Sequence, residues 1–243
     1  MKKLLVVLMA GVCMLSLGAC KGASSNKLVM ATNAAFPPYE YVDGKEIVGI
    51  DAEIAKAIAD DLGKELIIED MAFDSIIAAV QTGKADIAMA GMTVTEDRKQ
   101  NINFTTPYTE AAQVIVVKQG STVAGPDDLE GLRIGVQIGT TGDIYAEDIS
   151  GAQIERYSKY FEAINALIQD KIDAVIVDRE PGKVFVSENS ELKMIDEEFT
   201  LEEYAIGVSK ENKELLDQIN ASLKKLQESG QIDAIINKYI KAD

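Results

Sequence analysis

The sequence predicts an α/β protein of two lobes, each a mainly parallel sheet flanked by helices, with two crossing strands between them acting as a hinge. Three observations carry this expectation. Past residue 26, short β-branched runs alternate with stretches of helical periodicity, the pattern of strands joined through helical crossovers. A segment of the first half recurs in the second: Phe73-Asp74-Ser75-Ile76-Ile77-Ala78-Ala79-Val80-Gln81-Thr82-Gly83-Lys84-Ala85-Asp86 aligns, with one gap, with Phe161-Glu162-Ala163-Ile164-Asn165-Ala166-Leu167-Ile168-Gln169-Asp170-Lys171-Ile172-Asp173. Two amphipathic helices leading into strands would match in part by coincidence, and the alternative is a duplicated lobe. Finally, the last forty residues return to helical spacing and can rejoin the first lobe.

In chain order, Met1 to Cys20 has Lys2 and Lys3, then an apolar stretch, then small residues, the layout of a secretory signal. It is too short and wrongly flanked for a permanent spanning helix. Leu17-Gly18-Ala19-Cys20 resembles the lipobox of bacterial lipoproteins, in which the Cys thiol is acylated and becomes the mature N-terminus. On that reading residues 1–19 are a signal peptide, Cys20 is the lipidation site, residues 20–26 are a polar tether, and Cys13 leaves with the leader. The mature chain then has no disulfide, and its formal charge moves from −16 to −18 as Lys2 and Lys3 are lost.

Lys27 to Ala31 reads as the first strand. Ile50, Ile54, Ile58 and Leu62 mark a helix face, with Asp51 and Glu53 in its first turn and Gly63 as its stop. A second helix, with Asp74 as N-cap, is expected to run through Ile76, Ile77 and Val80 to Gly83, ahead of a strand over Asp86 to Ala90. Near the end, Leu215, Leu216, Ile219, Leu223 and Leu226 share a face, Gly230 interrupts it, and Ile232, Ile235 and Ile236 begin another. The first lobe is therefore expected over 27–113 plus 205–243 and the second over 114–204, with crossings near Tyr108 to Val117 and Glu203 to Val208.

Composition removes several function classes. Twenty-four basic against 40 acidic residues leave no basic surface for a nucleic acid, so no nucleic-acid partner is expected. With no histidine and two cysteines, imidazole zinc sites, His-dependent triads and four-thiolate clusters are out of reach, and neither a metal nor a cofactor is expected.

In open α/β sheets, ligands bind beyond the carboxyl ends of strands. Counting five residues past the matched Asp86 and Asp173 reaches Gly91 and Asp178. Gly91 lets a ligand approach the main chain, Thr93 offers a hydroxyl, and Arg98 a planar fork suited to a carboxylate. Thr95-Glu96-Asp97-Arg98 also reads as a capping box, which would make Arg98 a solvated arginine in a first turn. Gly135 to Asp143 forms a glycine-rich run into a helix start, either an anion cradle or a plain turn; it lacks the Lys and Ser/Thr pair of a nucleotide-binding loop. Asp178 is either an ammonium ligand or a helix N-cap before Pro181. Phe36, on a proline-stiffened loop, and Phe73 are either core residues or aromatic walls around an aliphatic stem.

Together these pieces resemble the polar amino-acid-binding proteins of ABC importers, the solute-binding family that includes glutamine-, histidine- and lysine/arginine/ornithine-binding proteins. The resemblance runs from Ala34-Ala35-Phe36-Pro37-Pro38-Tyr39-Glu40 and Gly49-Ile50-Asp51, through Gly91 to Arg98 and Phe104-Thr105-Thr106-Pro107-Tyr108, to Gly139-Thr140-Thr141 and Asp178. It implies a periplasmic-binding-protein-like fold in which Arg98 grips the α-carboxylate with main-chain N–H groups at Thr93 and Thr141. Asp178, the Gly91 carbonyl and the Thr93 hydroxyl would hold the α-ammonium, and Phe36 and Phe73 would flank the side chain. It further implies a monomer that is lipid-anchored on the outer side of a bacterial membrane and delivers a free L-amino acid to permease and ATPase subunits. Asn33 stands where several members carry Asp, and Gln137 where a glutamine binder carries Lys, so these side-chain-recognition positions leave the amino acid open. The alternatives are a lyase on the same fold, similar to cyclohexadienyl dehydratases, and an extracellular sensor domain. The lyase needs a positioned acid or base in the cleft; the sensor is expected to carry a spanning helix, and no later apolar run is that long.

Overall fold

The computed structural model describes residues 26–195 and 197–241, so the segment expected as a signal peptide, Cys20 and most of the expected tether lie outside the described residues. The chain forms strands β1 (Lys27–Thr32), β2 (Ala35–Phe36), β3 (Glu40–Asp43) and β4 (Glu46–Val48), helix α1 (Ile50–Asp61), β5 (Glu65–Asp70), α2 (Ile76–Gln81), β6 (Ile87–Ala88), α3 (Glu96–Lys99), β7 (Ile102–Phe104) and β8 (Thr109–Lys118). There follow β9 (Arg133–Gln137), α4 (Thr141–Ala146), β10 (Gln153–Tyr157), α5 (Tyr160–Ile168), β11 (Ala174–Asp178), α6 (Arg179–Glu188), β12 (Leu192–Met194), β13 (Thr200–Tyr204), β14 (Gly207–Ser209), α7 (Lys213–Glu228) and α8 (Gln231–Tyr239).

Two five-membered strand orders repeat one another: β5-β1-β6-β14-β7 in the first sheet and β10-β9-β11-β8-β12 in the second, where β13 also pairs with β8. The duplication extends to single side chains. Asp86 accepts a hydrogen bond from the Val29 amide at 2.8 Å, and its counterpart Asp173 accepts one from the Arg133 amide at 2.9 Å, each locking the start of a central parallel strand to its neighbour.

The sheets are mixed, which corrects the expectation of mainly parallel ones. The first three strands of each order run parallel, but β14 and β8 pair antiparallel with β6 and β11. These strands arrive from the other lobe and enter from the opposite end, a direction that hydrophobic alternation does not encode. A small antiparallel sheet, β2-β3-β4, has no counterpart in the sequence reading. Helices α1 and α7 cover one face of the first sheet through Ile54, Ile58, Ile219 and Leu223, α8 packs against those two helices, and α2 covers the other face through Ile76 and Val80.

Two local expectations also change. Asp74 is not an N-cap: Phe73–Ser75 form a 3-10 turn ahead of α2, and Asp74 makes no capping bond. The strand expected over 86–90 is only Ile87–Ala88, because the chain then bends at Ala90 and Gly91 toward the second lobe. The crossing segments lie side by side: the Tyr108 amide donates to the Tyr204 carbonyl at 3.0 Å, and β8 pairs with β13 from Thr109 opposite Tyr204 to Gln113 opposite Thr200. Among the described residues, no helix is long and apolar enough to cross a membrane.

Candidate functional site

The ends of β1, β6, β9 and β11 meet in a cleft lined by Asn33, Phe36, Glu40, Phe73, Ala90, Gly91, Thr93, Arg98, Gln137, Thr140, Thr141, Tyr160 and Asp178. All nine residues named from the sequence are among them. The cleft holds about 300 Å³ including space open to solvent, an upper bound at the small end for ligand sites.

Arg98 dominates the electrostatics. Thr95 caps α3 by accepting the Arg98 amide at 3.2 Å, and this single turn aims the side chain inward, so that Arg98 is only 6% exposed. Thr95 is thus an N-cap without the reciprocal bond of a capping box, since Arg98 stands at the third helical position, and the cap and the site are one feature. Its Nη1 donates to the Thr93 carbonyl at 2.7 Å, its Nη2 to the Gly139 carbonyl of the facing lobe at 3.0 Å, and the guanidinium lies 5.4 Å from the Phe73 ring centroid. Burial lowers the Arg98 pKa from its ordinary value, while Glu202 and Asp178 act in the opposite sense. A buried cation held by neutral carbonyls and an aromatic face is well placed to take an anion, since a charge-assisted pair gains strength where water is excluded.

Asp178 ends β11 and occupies the N-cap position of α6 without making a capping bond. It accepts the Tyr204 hydroxyl at 2.5 Å instead, and burial, with the nearby Glu202, pushes its carboxyl up to about 7. Gly91, at φ +53°, turns its backbone into the cleft; a Cβ there would lie 2.7 Å from Phe36 Cε1. Asp51 fixes this turn by accepting the Gly91 amide at 2.9 Å and the Tyr108 hydroxyl at 2.8 Å. Burial raises the Asp51 carboxyl to about 6 and pushes the neighbouring Glu40 well above the carboxylate range.

The aromatic wall is Phe36 stacked between Tyr39 and Tyr160, at centroid distances of 5.9 and 5.7 Å. Phe73 lies apart, under Arg98. Asn33 and Gln137 meet across the cleft: Gln137 Nε2 donates to Asn33 Oδ1 at 2.9 Å and to the Ser158 carbonyl at 2.9 Å. Thr140 caps α4 by accepting the Asp143 amide at 3.3 Å, placing Thr141 at the first helical position.

Sequence reasoning missed Glu40, Thr140 and Tyr160 in the lining, and Asp51, Gln113, Glu202 and Tyr204 behind it. Tyr160 immediately precedes the repeated segment, and Glu202 shares the alternating buried face of β13 with Tyr204, so both carried a periodic signal.

Comparison with known proteins places the two-lobed fold. The Arginine-binding extracellular protein ArtP of Bacillus subtilis (strain 168) is 30% identical over 254 residues, with 100% of both chains covered. A structure described as the substrate binding protein of an amino acid ABC transporter superposes with a TM-score of 0.85 at 38% identity, over 89% of this chain and 100% of that one. An ancestral arginine-binding protein bound to glutamine gives 0.87 at 37% identity, over 90% of this chain and 100% of that one. The family model for bacterial extracellular solute-binding proteins, family 3, matches residues 28–242, and the chain belongs to that family.

Proposed function

We propose that this chain is an extracytoplasmic lipoprotein that captures a polar L-amino acid by cleft closure and delivers it to an ABC importer. The observation that carries the reading is Arg98, a buried guanidinium whose direct partners among the described residues are carbonyls and an aromatic ring, in one cleft with the buried carboxyl of Asp178. A zwitterion fits that pair of charges. Arg98 and the N–H groups at Thr93 and Thr141 take the α-carboxylate; Asp178, the Gly91 carbonyl and the Thr93 hydroxyl take the α-ammonium. Phe36 and Phe73 flank the side chain, whose polar end meets Asn33, Gln137 and the Glu40 carboxyl.

Closure is supported by bonds that already span the lobes, Gln137 to Asn33 and Arg98 to the Gly139 carbonyl. Residues 27–113 with 205–243 move as one body against 114–204, and the permease reads the closed form. Cys20 carries the lipid, and the chain works as a monomer. Relatives named as binding proteins support a binder and not a lyase, and arginine and glutamine, named in those titles, are the first ligands to try.

A thermal-shift screen of the twenty amino acids, on protein unfolded and refolded to strip copurified ligand, tests the reading. One or a few polar L-amino acids should raise the melting temperature, because a ligand of the native state must stabilise it. No shift with any of them contradicts the proposal.

A further inference from the structure

Two buried residues of the crossing strands, Glu202 on β13 and Gln113 on β8, stand behind the cleft and reach two of its threonines, Gln113 also bonding to Asp178 and Glu202 to Tyr145. Thr93 Oγ1 donates to Glu202 Oε2 at 2.8 Å, and Gln113 Nε2 donates both to Glu202 Oε2 at 3.1 Å and to Thr141 Oγ1 at 3.2 Å. Glu202 is 7% exposed and Gln113 fully buried. With Glu202 as the carboxylate, which only accepts, the Thr93 hydroxyl must give it its proton, and the Gln113 atom facing it must be the amide nitrogen. A threonine hydroxyl has one proton. With that proton spent on Glu202, Thr93 can only accept from whatever enters the cleft. Thr141, whose oxygen already accepts from Gln113, keeps its proton free to donate.

We propose that Glu202 and Gln113 are positioning residues that set the hydrogen-bond polarity of the amino-acid clamp, making Thr93 an acceptor for an ammonium and Thr141 a donor for a carboxylate. The inference rests on the zwitterion-binding reading above. It adds that the two crossing strands supply selectivity: a ligand bound in reverse, or one lacking the ammonium, meets a hydroxyl that cannot donate. The same bonds join β8 and β13 to Thr93 of the first lobe and Thr141 of the second, so the polarity is complete only when both lobes contact the crossing strands.

The test uses calorimetric titration of the mature protein with the amino acid that gives the largest thermal shift. Glu202→Ala frees the Thr93 proton and should weaken binding at least about tenfold, the scale of one hydrogen bond to a charged group. Glu202→Gln, whose amide oxygen can still accept from Thr93, should recover most of that loss, an outcome that a purely electrostatic role does not produce. Gln113→Leu should weaken the free amino acid more than its α-carboxamide, because the carboxamide can turn its NH2 to the Thr141 oxygen and use it as an acceptor, which a carboxylate cannot. Melting temperatures of the unliganded variants report folding separately. Glu202→Ala within about twofold of wild type, or Glu202→Gln as weak as Glu202→Ala, overturns the assignment while leaving the clamp standing. A wild type that binds no amino acid removes the clamp itself.

Discussion

Arg98 shows how one residue's role depends on what its neighbours take from it. An isolated arginine beside a capping threonine belongs on the surface, and nothing in the residue type says otherwise. In the structure the cap bends the chain so that the same arginine points inward, where carbonyls orient the guanidinium without neutralising it. Asp178 is the complementary case, a carboxyl raised to about 7 by burial and by Glu202. An ammonium beside it favours the ionised form, so binding must expel a proton wherever Asp178 is protonated in the free protein. Affinity should therefore rise as pH increases through about 7 and level off above it, and titrations in buffers of different ionisation enthalpy should register proton release just below neutrality. An affinity that is flat across this range, with no proton release, would remove Asp178 from the ammonium site.

The elements carry a second lesson, about what periodicity records. The repeat of Phe73 to Asp86 in Phe161 to Asp173 was legible because two helices and two strands share apolar spacing, and the structure adds the matched aspartates that lock each strand. Strand direction was not legible: β8 and β14 look like their parallel neighbours in sequence and differ only in the end from which the chain enters. Asp74 misled because a capping residue type in front of an apolar run is read as a cap, whereas a 3-10 turn intervenes. Thr95 did cap, and its element is only four residues long, so a lost cap has little helix to fall back on. Thr95→Ala should cost about 1 kcal/mol of stability in chemical denaturation and should also weaken amino-acid binding, since α3 aims Arg98. A stable variant that binds as wild type would separate the cap from the site.

At the scale of the molecule, the acidic balance does not choose a substrate, because the cleft sets its own polarity: the buried guanidinium of Arg98, the buried carboxyls of Asp178 and Glu40, and amides where the lobes meet. Gly91, Thr93, Arg98 and Asp178 could be named from strand ends and a glycine turn, and Phe36 and Phe73 as aromatic walls, whereas Asn33, Gln137 and Thr141 entered through the family resemblance. Glu40 and Gln113 were not legible, since a buried polar residue in a strand looks like any other until its partners are known, and Glu202 left only the alternation of β13 as a signal. The family assignment fixes the architecture, and the clamp is what gives it a chemical reading. The most direct test is calorimetric titration of the refolded protein with the amino acid selected by screening, with its decarboxylated amine and with its deaminated acid. Binding of the intact zwitterion at micromolar concentration or below, with both truncated compounds weaker by at least about a hundredfold, is the expected result; a decarboxylated amine that binds as tightly as the amino acid would contradict it.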